Sequence, residues 1–128
     1  MGKHVIQTSD APAAVGPYSQ AILAEGRYVF VSGQVGLDPA TKSMVEGGIS
    51  EQAEQALRNV RAVLSASGAS LSDVVKVTVL LQDVSDFAAL NTVYAKFFVD
   101  EPPARATFGG LQLPLGALVE IECIAVLT

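Results

Sequence analysis

Aliphatic and β-branched residues fill the segment 74–81, which reads Val-Val-Lys-Val-Thr-Val-Leu-Leu. A nearly continuous run of this kind is typical of a strand that is covered on both faces. The segment is therefore predicted to be an interior strand and not an edge strand. The elements on either side of it must supply both its neighbours and its cover.

Helical periodicity flanks this strand on both sides. Before it, apolar residues recur at helical spacing behind Ser50, a candidate N-cap, and Gly68 is the candidate stop signal. After it, Ser85 or Asp86 can cap a second helix that ends before Pro102. The apolar positions that define the two helices are Ala53, Ala56, Leu57, Val60, Val63 and Leu64, and then Phe87, Leu90, Val93, Tyr94 and Phe97.

Further strands are predicted towards both ends of the chain. One lies around 28–32, ends at Gly33 and is followed by a turn at 36–39, and two others lie at 105–111 and 118–127. With one more strand before the first helix, for which no bounds are predicted, the order is strand, strand, helix, strand, helix, strand, strand. It predicts one α+β domain over residues 1–128, with a sheet and two helices packed on one of its faces.

The last of these strands has two different faces. One face is wholly apolar, whereas the other mixes aliphatic residues with two carboxylates and reads Leu118, Glu120, Glu122, Ile124, Val126. Such a face is too apolar for plain exposure to solvent. It is therefore predicted to pack against another subunit, which places Glu120 or Glu122 near a subunit boundary.

Composition argues against several classes of function. The formal net charge is −5, and no run of Lys or Arg is present to neutralise a nucleic-acid backbone. No apolar stretch approaches the length of a membrane span, and the N-terminus has no apolar signal core, so a soluble cytoplasmic protein is expected. His4 is the only histidine and Cys123 the only cysteine. Neither a zinc cluster nor a histidine-based triad is therefore expected.

Four polar residues are candidates for chemistry, and each also has a structural interpretation. Arg105 could hold a substrate carboxylate through two parallel hydrogen bonds, or pair with a neighbouring acid at the surface. Glu120 could act as a general base towards water, or be a solvated charge on a strand. Tyr18 could orient a ligand or pack in the core. Asn91 lies off the apolar stripe of its helix and could simply be solvated.

A series of different short motifs is distributed along nearly the whole chain. They are Ala-Val-Gly-Pro-Tyr-Ser-Gln-Ala at 14–21, Val-Ser-Gly-Gln at 31–34, Asp-Phe at 86–87 with Asn91 and Tyr94, Pro-Ala-Arg at 103–105, Leu-Pro at 113–114, and Val-Glu-Ile-Glu at 119–122 followed by Ile-Ala-Val at 124–126. In this order and spacing the chain resembles the Rid proteins, also called YjgF-type, and specifically the RidA branch of imine deaminases.

The resemblance implies a chorismate-mutase-like homotrimer, in which three sheets form a central barrel and the active sites lie between subunits. It also implies hydrolysis of the reactive 2-imino acids 2-iminobutanoate and 2-iminopropanoate to 2-oxo acids and ammonia, without a metal or organic cofactor. By the same resemblance Arg105 binds the substrate carboxylate and Glu120 positions the water. The residues that it assigns to the lining or support of the pocket are Tyr18, Gly33, Asn91 and, through its backbone, Thr107.

One departure and two other functions stay open. Gly109-Gly110 stands where the family pattern has bulkier strand residues, which leaves the width of the pocket and the range of substrates undetermined. This pair precedes no predicted helix, so it is interpreted as a bend or bulge and not as a phosphate loop. The other functions are a non-catalytic regulatory trimer that binds small carboxylates, and the ribonuclease or translation inhibitor attributed to some relatives.

Overall fold

The computed structural model describes residues 2–128, so Met1, the first residue of the predicted domain, lies outside the described part. Within that part the fold is mixed α+β, as predicted. Its elements are β1 (Lys3–Ile6), β2 (Ala21–Ala24), β3 (Arg27–Gln34), α1 (Ile49–Ala66), β4 (Val74–Leu81), α2 (Phe87–Phe97), β5 (Ala104–Phe108) and β6 (Val119–Leu127). Short 3-10 turns lie at Leu71–Asp73, Val84–Asp86 and Pro114–Gly116.

The main sheet has the strand order β3-β6-β4-β5, so β4 lies in its interior as predicted. The β4 and β5 strands run parallel, whereas β6 is antiparallel to both of its neighbours. Three strands precede α1, so the predicted order with two strands there was wrong. The additional pairing is a separate two-stranded antiparallel sheet of β1 and β2. Strands of four residues carry too little periodic pattern to be recognised.

Both helices pack on one face of the main sheet, which we call the helix-covered face. In β6 the side chains of Val119, Ile121 and Cys123 point to this face and are buried in a single hydrophobic cluster. Burial raises the pKa of the Cys123 thiol to about 12, as expected for an inert core cysteine. No helix in residues 2–128 combines the length and the apolar character that crossing a membrane requires.

The opposite face of the sheet carries no helix, and we call it the helix-free face. On β3 it presents Tyr28 and Phe30, which remain 46% and 73% exposed. Ile124, which pairs with Phe30 across the two strands, is half-buried. Val126 belongs to the face that was predicted to pack against another subunit. It lies beside Gly2 and Gly26, however, and is already buried within the chain.

The first helix begins earlier than the sequence pattern predicted. Gly48, and not Ser50, occupies the N-cap position, and Ser50 lies inside the first turn. The Glu51 side chain accepts a hydrogen bond from the Gly48 N–H at 2.8 Å, which satisfies one of the free donors at the helix start. The predicted stop is confirmed, because Gly68 follows the helix with a φ of +80°.

The second helix and the strand after it differ from prediction in detail. Asp86 occupies the N-cap position of α2, but its side chain makes no capping hydrogen bond. Asp83, three residues earlier, instead accepts from the Ser85 N–H at 2.9 Å. The β5 strand ends at Phe108 and not at residue 111, since the chain bends at Gly109-Gly110. Gly110 has a φ of +73°, a conformation that favours glycine.

Candidate active site

Arg105 lies on the helix-covered face of the sheet. It pairs with Val77 of β4 in parallel register, and paired residues of neighbouring strands point to the same side. Val77 is fully buried beneath the helices, so the Arg105 side chain is directed towards α2. There its Nη1 donates a 2.8 Å hydrogen bond to Oδ1 of Asn91. The acidic neighbour that the surface interpretation of Arg105 required is replaced by a neutral amide.

Three aromatic rings surround the guanidinium. Its Cζ lies 4.7 Å from the ring centroid of Tyr94, 5.5 Å from that of Phe87 and 5.6 Å from that of Tyr18. Each distance falls within the range of cation–π attraction. Partial burial lowers the pKa of Arg105, but a guanidinium stays charged at neutral pH. The rings therefore hold a permanent cation in a largely apolar setting.

The loop that carries Tyr18 is hydrogen-bonded to the residues just before β5. Ser19 donates through its backbone N–H to the Pro103 carbonyl at 3.1 Å and through its hydroxyl to the Pro102 carbonyl. The Tyr18 hydroxyl accepts from the Val15 N–H at 3.3 Å. These hydrogen bonds place a phenol from the N-terminal part of the chain beside a strand far away in sequence.

A cavity of about 300 Å³ opens beside Arg105. Its lining residues are Tyr18, Val84, Phe87, Arg105 and Thr107. Thr107 lies two residues beyond Arg105 in β5 and so points to the same face. Its buried hydroxyl has no hydrogen-bond partner among residues 2–128. One cation and apolar walls can together receive a small carboxylate.

Glu120 lies on the helix-free face, opposite to Arg105. Its neighbours in β6, Val119 and Ile121, are buried on the helix-covered face, so Glu120 points the other way. Its carboxylate lies over Gly33 at the irregular end of the β3–β6 pairing. An ideal Cβ on Gly33 would be 2.8 Å from Cδ of Glu120. Only glycine at position 33 leaves the carboxylate in this place.

The six residues predicted for the site thus fall into two groups. Tyr18, Asn91, Arg105 and Thr107 come together around the cavity, and Gly33 and Glu120 meet on the other face. No three His, Cys, Asp or Glu side chains converge as a metal site in residues 2–128.

Three further residues that shape the cavity were not predicted as site residues, namely Val84, Phe87 and Tyr94. A signal for two of them was present in the sequence. Phe87, Asn91 and Tyr94 are separated by four and three residues, which puts them on one face of a helix. The expectation that Asn91 lies off the apolar stripe was therefore wrong. The sequence pattern assigns Phe87 and Tyr94 to the apolar stripe and to the family motif, but not to the site. Val84 precedes the helix in a short turn, where no periodicity identifies it.

Comparison with known proteins gives matches over nearly the whole chain. A family model described as Endoribonuclease L-PSP matches residues 8–127. A Capra hircus protein named 2-iminobutanoate/2-iminopropanoate deaminase is 50% identical over 124 residues, which cover 97% of this chain and 90% of that protein.

Solved structures agree in fold. RidA from an Antarctic Psychrobacter species is 48% identical, with a TM-score of 0.76 and coverage of 97% of this chain and 99% of that one. Escherichia coli TdcF with bound serine is 38% identical, with a TM-score of 0.75 and coverage of 98% and 99%. The chain therefore belongs to the Endoribonuclease L-PSP family, the Rid family that its motifs predicted.

Proposed function

We propose that this chain hydrolyses 2-imino acids, with 2-iminobutanoate and 2-iminopropanoate as representative substrates, to 2-oxo acids and ammonia. The observation that carries the proposal is the Arg105 guanidinium, held by three aromatic rings and Asn91 beside a small cavity. The deaminase name of the 50% identical relative supports it.

Arg105 has the free donors that a carboxylate needs. A guanidinium carries five N–H groups, and Asn91 accepts from only one of them, on Nη1. The edge formed by Nε and Nη2 can therefore donate two parallel hydrogen bonds to a substrate carboxylate. Apolar walls strengthen this charge pairing because they exclude water. The bound 2-imino acid then has its C=N carbon close to β5 and Thr107.

Hydrolysis needs one water and one base. Glu120 accepts a proton from the water as its oxygen bonds to the imine carbon, and the C=N pair moves onto nitrogen. Glu120 passes that proton to the nitrogen, which completes the carbinolamine, and then carries the hydroxyl proton to the same nitrogen as the carbonyl forms. The C–N bond breaks and the nitrogen leaves as ammonia. Atoms balance with water as the only co-reactant, and the proposed route needs no metal or organic cofactor.

Glu120 and Arg105 point to opposite faces of one sheet, so we propose that an active site takes Arg105 from one copy and Glu120 from a neighbouring copy. A homotrimer whose three sheets form a barrel would provide this arrangement. The exposed rings of Tyr28 and Phe30, beside Ile124, support an assembly that covers the helix-free face. The working unit is then three copies of a single domain spanning residues 1–128.

The expected physiological role is the removal of reactive imines in the cytoplasm before they damage other enzymes.

A regulatory, non-catalytic trimer is the second candidate, because a relative has been crystallised with bound serine, itself a small carboxylate. Ribonuclease activity has less support despite the family's printed description. The net charge is −5, and the only histidine, His4, is not among the residues that line the Arg105 cavity.

Ammonia release from 2-iminobutanoate tests the proposal directly. The imine is generated in the assay by a pyridoxal-phosphate dehydratase acting on threonine, and its decay is followed with and without this protein. We expect decay to become much faster and to require only catalytic amounts of protein. Decay at the spontaneous rate, together with measurable binding of 2-oxobutanoate, would favour the regulatory candidate instead.

A further inference from the structure

Gly109, the first residue after β5, allows an unusually close contact with Val84. An ideal Cβ on Gly109 would lie 2.6 Å from Cβ of Val84 and 3.0 Å from both its Cα and its backbone nitrogen. Two of these three atoms belong to the backbone, so a different rotamer of Val84 cannot remove the overlap. Any side chain at position 109 must displace the turn Val84–Asp86 away from the end of β5.

This turn forms one wall of the candidate active site. Val84 lines the 300 Å³ cavity together with Phe87, and β5 contributes Arg105 and Thr107 to the same cavity. The distance between the turn and β5 therefore sets how wide the cavity is. Glycine at position 109 allows the smallest such distance.

We propose that the Gly109–Val84 contact limits the size of the substrate side chain. This inference rests on the proposed function and names the contact that decides which aliphatic 2-imino acids fit the cavity. When Arg105 holds the carboxylate, the substituent on the neighbouring carbon meets Val84 and Phe87. Both walls are apolar, and Arg105 is the only charged residue among those that line the cavity. The apolar walls disfavour charged side chains, and the close approach of Val84 leaves room for short alkyl groups but not for branched ones.

Two variants and one control test the proposal. Gly109→Ala displaces the turn, and Val84→Ala shortens the wall without moving the backbone. Gly110→Ala is the matched control, because it alters the adjacent glycine in the same bend but a Cβ there meets nothing within 4 Å. Substrate preference is measured as the ratio of kcat/KM for 2-iminobutanoate to that for the branched 2-imino-4-methylpentanoate.

The parent protein is expected to prefer 2-iminobutanoate, since one methylene in an apolar pocket changes selectivity by roughly 10- to 200-fold. Val84→Ala and Gly109→Ala should each shift the ratio towards the branched substrate by about tenfold. Gly110→Ala should leave the ratio unchanged, even if its positive φ lowers thermal stability. Should Gly109→Ala fail to fold, Val84→Ala decides alone, since Val84 is 63% exposed and tolerates truncation.

A binding measurement separates this inference from the proposed function. Dissociation constants of 2-oxobutanoate and 4-methyl-2-oxopentanoate are determined by calorimetry for the same four proteins. If the parent binds 2-oxobutanoate more tightly and Val84→Ala reduces that preference, the size limit holds even where no imine is hydrolysed. An unchanged preference in Val84→Ala overturns the size limit, and it does so whether or not the parent is a deaminase.

Discussion

The helix-covered face of the sheet around Arg105 differs from the helix-free face around Glu120 in how each holds its charged group. Arg105 is enclosed by elements of its own chain, with three rings and the Asn91 amide around one guanidinium. Glu120 lies over the bare backbone of Gly33, and further along this face the exposed ring of Phe30 lies opposite Ile124. Side chains of the same chain already orient Arg105, whereas Glu120 has only the Gly33 backbone beneath it.

This difference indicates where the base that Arg105 lacks on its own face could come from. A cation that is already oriented needs only its substrate, whereas a base on an open apolar face needs a cover that excludes water. The same cover can bring the base to another copy's cation. On the proposed function the two faces would act as complementary halves of one site, so substitutions on each face should lower activity in different ways.

Removal of the prepared cation and removal of the base should have the two largest effects, and these should be of similar size. Arg105→Ala is expected to lower kcat/KM for 2-iminobutanoate by about 30- to 5,000-fold, because losing a desolvated charge pair costs about 2–5 kcal/mol in transition-state binding. Arg105→Lys should not restore it, since an ammonium cannot offer two parallel hydrogen bonds or the same stacking on Tyr94. Steady-state kinetics on both variants checks this. Near-parent activity in Arg105→Lys would reduce Arg105 to a general source of positive charge.

A change on the helix-free face should remove the base while leaving the cation intact. Glu120→Gln is nearly isosteric but cannot accept a proton, so kcat is expected to fall by roughly 10²- to 10⁴-fold. Binding of 2-oxobutanoate at Arg105 should persist.

Glu122→Gln is the matched control for this change. Glu122 stands two residues further along the same face of β6 and is exposed. We expect this substitution to alter assembly or stability more than kcat. Both variants are compared only after their oligomeric state has been measured by sedimentation. A Glu120→Gln protein that assembles like the parent and keeps its rate would leave positioning by Arg105 as the sole source of catalysis.

Mixing the two inactive variants tests whether the halves come from different copies. When Arg105→Ala and Glu120→Gln chains are unfolded together and refolded at equal concentration, a site that takes one residue from each copy is intact in about one quarter of random pairings. Activity should therefore return to about fourfold below the parent level. A mixture that stays as inactive as its components would show that both residues of a site come from one chain, or that the copies do not form the proposed shared site.

The two faces also differ in how far the sequence predicts them. The β4 and β6 strands and both helices follow from local periodicity, and so does the outward direction of Glu120. The neighbourhood of Arg105 does not, because it depends on β5 pairing in parallel with β4 and on the Tyr18 loop crossing to Pro103. Such pairings join residues distant in sequence and leave no periodic signal. For the same reason the short β1–β2 sheet was missed.

The smallest predicted effect concerns the ring closest to the cation. Tyr94 is fully buried, and its hydroxyl has no hydrogen-bond partner among the described residues. A buried unpaired polar group costs about 1–3 kcal/mol, so Tyr94→Phe should raise the free energy of unfolding by about 1 kcal/mol. The phenylalanine ring keeps its place over Arg105 and against Phe98, where the present ring centroids are 4.7 Å apart. We therefore expect the kcat of Tyr94→Phe to stay close to that of the parent.

The pH dependence of stability gives this last prediction an independent measurement. Burial raises the pKa of Tyr94, so the folded protein keeps the phenol proton at pH values where the unfolded chain, with a pKa of about 10, has lost it. The folded state then binds more protons, and the free energy of unfolding must fall as pH rises above about 10. Denaturant titrations should show a shallower alkaline fall for Tyr94→Phe than for the parent. If the variant instead loses activity and stability together, the hydroxyl has a partner in the working assembly and helps to hold Arg105 in place.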